Sequence, residues 1–350
     1  MVSFKTLKNK NRFWAGLLFA QFLLFYILSK TQFGVNLFSI LFETKKYFHQ
    51  KLFSTFNFSI GDLIYIFLLL YLSFCIYKLF NKNDRKKYFI KILKTLNFFY
   101  FIYQISWGML YFQTPLIDKL PAKQISDKEI KKKALEYIEK CNESRKQVKE
   151  DKNGVFIITN IEETKISVLN AQQNIPKEFS NKKNTHIQNF KPTLFGKYFS
   201  YTGILGYYNP FTSEAQYNAN LPSSYLPFTL AHESAHQLGF AREQEANFIA
   251  YLICKNSDDS NLIYSSNLYV ARSLLNSLIE KDPKFVEQAK LKFSKDVKRD
   301  LENNKNFIKE HQSWVDDAFY FTNDLFLKSN RQEGSVTYSY FLELLLRYEN

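Results

Sequence analysis

Two histidines four residues apart, with a glutamate directly after the first, form the stretch "HESAH" (His232 to His236). On a helix such residues project from one face, one turn apart, so both imidazoles can grip a single Zn²⁺ ion. Glu233 then stands where a carboxylate takes a proton from a water that the ion has acidified, and the water becomes a nucleophile for an amide carbonyl. That is the chemistry of peptide hydrolysis. Only five histidines occur in 350 residues and two of them fall here, which sets the stretch apart from a pair of core histidines satisfied by hydrogen bonds.

A catalytic zinc keeps three protein groups and one open position. The extended metzincin pattern would place a histidine at residue 242, and Arg242 excludes it. Glu243 and Glu245 follow at once in "REQEANFIAYL". Residues two apart on a helix differ by about 200°, so only one of these carboxylates can reach the ion. Glu243 shares its face with Ala246, Asn247, Ala250 and Cys254, small residues that admit a second helix, whereas Glu245 lies with Phe248, Ile249 and Leu252. Glu243 is the expected third ligand. Glu245 is the alternative, or else a carboxylate that orients one of the ligating histidines. For the group that steadies the oxyanion a Tyr or His is expected; 23 tyrosines leave no choice among them, and His311 reads as a surface helix residue.

These side chains need elements to hold them. "SSYLPFTLAHESAHQLG" reads as one helix, with Ser223 or Ser224 as its cap and Gly239 ending it and reversing the chain. Upstream, "GILGYYNPFTSEAQYN" (Gly203 to Asn218) reads as a strand and turn bordering the cleft. Pro210 cannot donate to a ladder and marks an edge, where an extended peptide can be bound by strand addition. Asn209, Thr212 and Glu214 order that turn or touch substrate. Ser126 to Gly154 reads as a capped helix, "VFIIT" (Val155 to Thr159) as a strand, and Ile161 to Asn174 as a helix. From Lys191 to Tyr217 strands and turns are expected, and beyond Pro222 helices, broken near Gly239, Asp258 to Ser260, Pro283 and "NRQEGS" (Asn330 to Ser335).

The first third of the chain has a different texture, rich in the 36 phenylalanines. Runs at about 13–29, 63–80 and 96–112 have the length of a membrane span. A cleaved signal peptide is a rival for the first alone, and no small-residue cleavage site follows it. Lys5, Lys8, Lys10 and Arg12, with Lys82, Arg85, Lys86, Lys87, Lys91 and Lys94, assign the N-terminus and the second connection to the cytoplasm. Three spans then place residues 116–350 outside it, as one domain behind a membrane domain of 1–115. Topology accounts for much of the net charge of +14, and no recognition motif accompanies the rest, which excludes nucleic acid as the expected partner. Cys75 falls in the second run; Cys141 and Cys254 are either free buried thiols or one disulfide.

The stretch from Tyr208 to Leu252, with "HESAHQLGFAREQEANF", resembles a bacterial membrane-protein family called domain of unknown function 3810, and the likeness continues through "NDLFLKSNRQEGSVTYSYFLELLL". The resemblance implies an α+β, mainly α chain: three transmembrane helices, then a zincin-like domain with a small sheet and several C-terminal helices. It implies a zinc metallopeptidase in the bacterial inner membrane, acting on a peptide or protein substrate. "E-x-E-A-N" is also similar to the glutamate helix of gluzincins such as the HtpX-type and ImmA/IrrE-type peptidases, which carries the ligand role onto Glu243. The expected set is His232, His236 and Glu243 on the metal, with Glu233 as base. A sensor or assembly protein with a structural or peptide-recognising zinc site is the competing expectation.

Overall fold

In the computed structural model, which describes residues 4–180, 182–312 and 337–349, the chain divides into two compact units. One holds Met1–Gln113 with Asn209–Glu214, the other Thr114–Tyr208 with Ala215–Asn350.

The first unit is helical: α1 (Phe4–Leu28), α2 (Gln32–Phe53), α3 (Ile60–Leu79) and α4 (Arg85–Ser106). Trp14 meets Lys94 and Asn97 while Phe25 meets Tyr100 and Phe101, so α1 and α4 run in the same direction. Phe74 meets Tyr88, so α3 packs against α4 in the opposite sense, and α4 lies against both α1 and α3. Asn97, buried in this apolar setting, has its amide satisfied by the Trp14 carbonyl, the Leu93 carbonyl and the Gln21 side chain.

Among the described residues, two helices, Lys10–Leu28 and Ile60–Leu79, are long and apolar enough to cross a membrane, not the three expected. The third apolar run, 96–112, is divided. Its helix begins at Arg85 and carries Lys86, Lys87, Lys91 and Lys94 in its first half, then stops at Ser106. Trp107 leaves helical geometry, and Gly108–Phe112 is a buried 3₁₀ turn.

The second unit begins with α5 (Asp127–Arg145), closed by the expected reciprocal cap between Ser126 and Glu129. The expected strand at 155–159 is absent: that segment makes one isolated bridge, Glu150 to Phe156, because the Phe156 amide is taken by Asp300. Next come α6 (Ile161–Ala171), β1 (Phe190–Pro192), α7 (Gly196–Ser200), β2 (Gly206–Asn209) and β3 (Glu214–Tyr217). The sheet order is β1-β3-β2, with β1 parallel to β3 in register Phe190 to Ala215 and β2 on an edge. Pro210 sits in the β2–β3 turn, where its missing N–H is harmless.

After the sheet the chain is helical: α8 (Leu226–Gln237), α9 (Glu243–Lys255), α10 (Ser260–Asn276), α11 (Pro283–Leu291), α12 (Lys295–His311) and α13 (Thr337–Tyr348). The expected break at Asn330 to Ser335 lies outside the described residues. From Glu245 to Cys254, α9 is buried on every side, packed among α8, α10 and α13. A helix apolar all round belongs at the centre of a domain. The architecture is therefore α+β and mainly α, with one small sheet.

Candidate metal centre

The path from α8 to α9 is short, and a single turn makes it possible. Gly239 adopts φ 91°, a left-handed conformation open to glycine without strain. Its N–H donates to the His236 carbonyl at 2.8 Å, and the Phe240 N–H donates to the Ala235 carbonyl at 3.2 Å, the paired bonds of a Schellman C-terminus. Neither expected serine caps the other end of α8. Tyr225 occupies the N-cap position; Ser224 donates to Asn304 and the Ser223 hydroxyl accepts from the Ile158 N–H. Pro227 in the first turn starts the helix instead, where a missing N–H costs nothing.

His232, His236 and Glu243 come together, their candidate ligand atoms all within 4.8 Å of one another. His232 Nε2 lies 3.2 Å from Glu243 Oε2, and His236 Nε2 lies 3.5 Å from Glu243 Oε1. In a tetrahedral zinc site with bonds of about 2.0–2.2 Å, the edges are roughly 3.3–3.6 Å. The two His–Glu separations are of that order, each to a different oxygen of Glu243.

The other ring nitrogens are held from behind. His236 Nδ1 lies 2.6 Å from the Phe240 carbonyl and His232 Nδ1 lies 2.8 Å from Asn247 Oδ1. A carbonyl oxygen only accepts, so Nδ1 carries the proton and each neutral ring presents a lone pair at Nε2. Two lone pairs and a carboxylate facing one another repel unless a cation lies among them. A proton on His236 Nε2 is one such cation: burial favours the neutral ring, but the Glu243 carboxylate outweighs it and pushes the His236 pKa up to about 9. A divalent ion is the other. Burial opposes the charge on Glu243 too, yet the two imidazoles hold its carboxyl well below the usual range.

Glu245 takes no part. Its Oε1 accepts from the Leu116 N–H at 2.9 Å and from Arg242 Nη1 at 2.8 Å. It is a buried anchor for the chain entering this unit, and orients neither histidine. Asn247 and the Phe240 carbonyl do that. The sequence reading placed Asn247 on the right face but treated it only as a small residue.

Glu233 is 3% exposed, and its Oε2 is buried with no hydrogen-bond partner. Burial pushes its pKa up to about 7, against the pull of His232 and His236. Such a carboxyl is poised to gain and lose a proton near neutrality. Gly206, at the start of β2, lies directly against it: a Cβ there would stand 2.9 Å from Glu233 Oε1 and 2.6 Å from the Gln216 carbonyl.

The remaining expected residues lie elsewhere. Asn209, Thr212 and Glu214 are fully buried at the hairpin tip in the first unit. There the Glu214 carboxylate accepts from the Ile60 and Gly61 N–H groups and from Ser59 and Thr212. They order the turn. His311 meets Tyr201 edge-on and Phe307 at a tilt, apart from the cluster. Cys75, Cys141 and Cys254 are free and buried, and burial pushes the last two thiols up.

The chain belongs to the family described as protein of unknown function DUF3810. The family model matches residues 38–346, which takes in the three converging side chains, Glu233, the second unit almost to its end and the first unit from within α2 onward. No curated protein and no solved structure matches this DUF3810 chain. Its site is therefore read from its own geometry.

Proposed function

We propose that this DUF3810 protein is a membrane-anchored zinc metallopeptidase of gluzincin type, acting on a peptide or protein outside the cytoplasm. The observation that carries the reading is the convergence of His232, His236 and Glu243 around one point, with Glu233 alongside. Zinc held there would acidify a water and polarise a carbonyl. Glu233, with its unpartnered oxygen, takes the proton from the attacking water and returns it to the leaving nitrogen. Asn247 and Phe240 keep the imidazoles in the tautomer that offers Nε2. The edge strand β2 supplies backbone groups that can align an extended chain.

Anchorage is assigned to α1 and α3. The Lys82–Lys94 cluster stays in the cytoplasm, so the exterior placement further requires the apolar second half of α4, alongside α1, to carry the chain back across.

Purified full-length protein is expected to carry about one zinc per chain. Glu233→Gln should keep the metal and lower hydrolysis at least about a hundredfold. The direct readout compares peptides shed by cells carrying either form. Equal peptide profiles, or a metal-free wild-type protein that still yields them, would overturn the proposal.

A further inference from the structure

At the end of the first unit where the chain turns from α3 into α4 there is a cleft of about 480 Å³, lined by Asn11, Ile76, Leu79, Phe80, Arg85, Lys86 and Phe89. Its walls are apolar: Ile76 is 51% and Phe80 79% exposed, in a chain region with no need of either for its own core. Its rim is cationic. Arg85 Nε donates to the Leu79 carbonyl at 2.9 Å, which fixes the guanidinium plane at the mouth and leaves its geometry suited to a two-pronged grip on phosphate. Lys86 stands beside it, and Asp84 is the lone acid between residues 81 and 95. On the α1 side, Asn11 Oδ1 is buried without a hydrogen-bond partner. A buried acceptor of this kind calls for a donor.

We infer that this cleft binds an anionic phospholipid whose headgroup carries hydroxyls, of the phosphatidylglycerol type. The phosphate meets Arg85 and Lys86, a glycerol hydroxyl donates to Asn11 Oδ1, and an acyl chain lies along Ile76, Phe80 and Phe89. Each part of the lipid answers one part of the cleft: anion to cation, donor to acceptor, hydrocarbon to hydrocarbon. The assignment rests on the membrane anchorage proposed above, since the cleft must lie at headgroup depth.

The test uses the full-length chain in nanodiscs of phosphatidylcholine with equal shares of phosphatidylglycerol and phosphatidic acid, followed by native mass spectrometry of the lipid retained. Retention of about one phosphatidylglycerol, in preference to phosphatidic acid, is expected. Arg85→Ala/Lys86→Ala should lower it about tenfold, whereas Lys82→Ala/Lys87→Ala, which removes the same charge from neighbouring residues, should not. Asn11→Leu should erase the preference over phosphatidic acid while leaving one lipid bound. Equal loss in both double variants means diffuse attraction to the bilayer and overturns the inference. Displacement of the lipid by millimolar inorganic phosphate overturns it too, because the hydrocarbon walls would then contribute nothing. A protein that never enters the nanodisc is a distinct result, and sinks the anchorage itself.

Discussion

Two carboxylate clusters lie in the second unit, one fully buried and one partly open to solvent, and they are built on opposite principles. Asp300, 1% exposed, accepts from Arg145 Nε at 2.6 Å, from the Tyr264 hydroxyl at 2.6 Å and from the Phe156 N–H at 2.8 Å. Donors are matched to acceptors, and the cation is a permanent one. Around Glu233 and Glu243 the acceptors are in excess: two carboxylates, two ring nitrogens aimed at one of them, and an oxygen with no donor. Burial differs between them: Asp300 is closed to solvent, whereas the Glu243 side chain is 34% and that of His232 15% exposed. What also separates them is whether the positive charge is permanent, as on Arg145, or titratable, as on His236. The Asp300 cluster holds a permanent guanidinium, whereas the Glu243 cluster is balanced by a proton on His236, whose pKa Glu243 pushes up to about 9, or by the proposed metal ion.

The sharpest way to break this contrast is to remove a member from each side. His236→Ala should abolish zinc binding, read as metal content near zero after gel filtration, while the fold persists. Asp300→Ala should leave zinc bound and lower stability by about 3–5 kcal/mol, because Arg145 is stranded without its counter-charge. If denaturant melts show the reverse pattern, with zinc lost at Asp300 and stability lost at His236, the two clusters have been misassigned.

Next in size is the support behind the histidines. Asn247→Ala should weaken zinc affinity about 10–100-fold in a chelator competition, as loss of an orienting partner does. Glu245→Gln, two residues away, should leave affinity unchanged and cost about 1–3 kcal/mol through its bonds to Leu116 and Arg242. A fall in affinity at Glu245 that matches the one at Asn247 would restore it as a partner of the metal site.

Much of this was legible because local rules governed it. The i, i+4 spacing of His232 and His236, the glycine that ends α8 and the small face behind Glu243 are properties of short segments. The reciprocal cap at Ser126 belongs with them. Where a distant partner decided, the sequence misled. Ser223 and Ser224 look like caps, but their hydroxyls are claimed by Ile158 and Asn304. The "VFIIT" stretch has strand composition, but Asp300 takes an amide that a ladder would need. Residues 96–112 are apolar enough for a span, yet the helix that contains their first part starts among lysines and ends at Ser106. The role of Glu245 depends on Leu116, 129 positions earlier, which no reading of α9 alone can reveal.

The smallest expected effect falls on a residue with no chemistry of its own. Gly206 brings the edge of β2 against Glu233, and the nearest atoms to an added methyl would be Gln216 O, Glu233 Oε1 and Glu233 Cγ. The Gln216 carbonyl is backbone in the neighbouring strand and yields little, so the β2 edge must shift, and the carboxyl packed against it shifts too. The proposed zinc ligands are other side chains, so metal content should not change. Gly206→Ala is therefore expected to keep full metal content and to lower turnover about tenfold, the scale on which a fraction of an ångström of misplacement acts. Turnover equal to wild type would mean that Glu233 has room to spare. Its unpartnered oxygen would then be a loosely held group, not one kept in place for a proton.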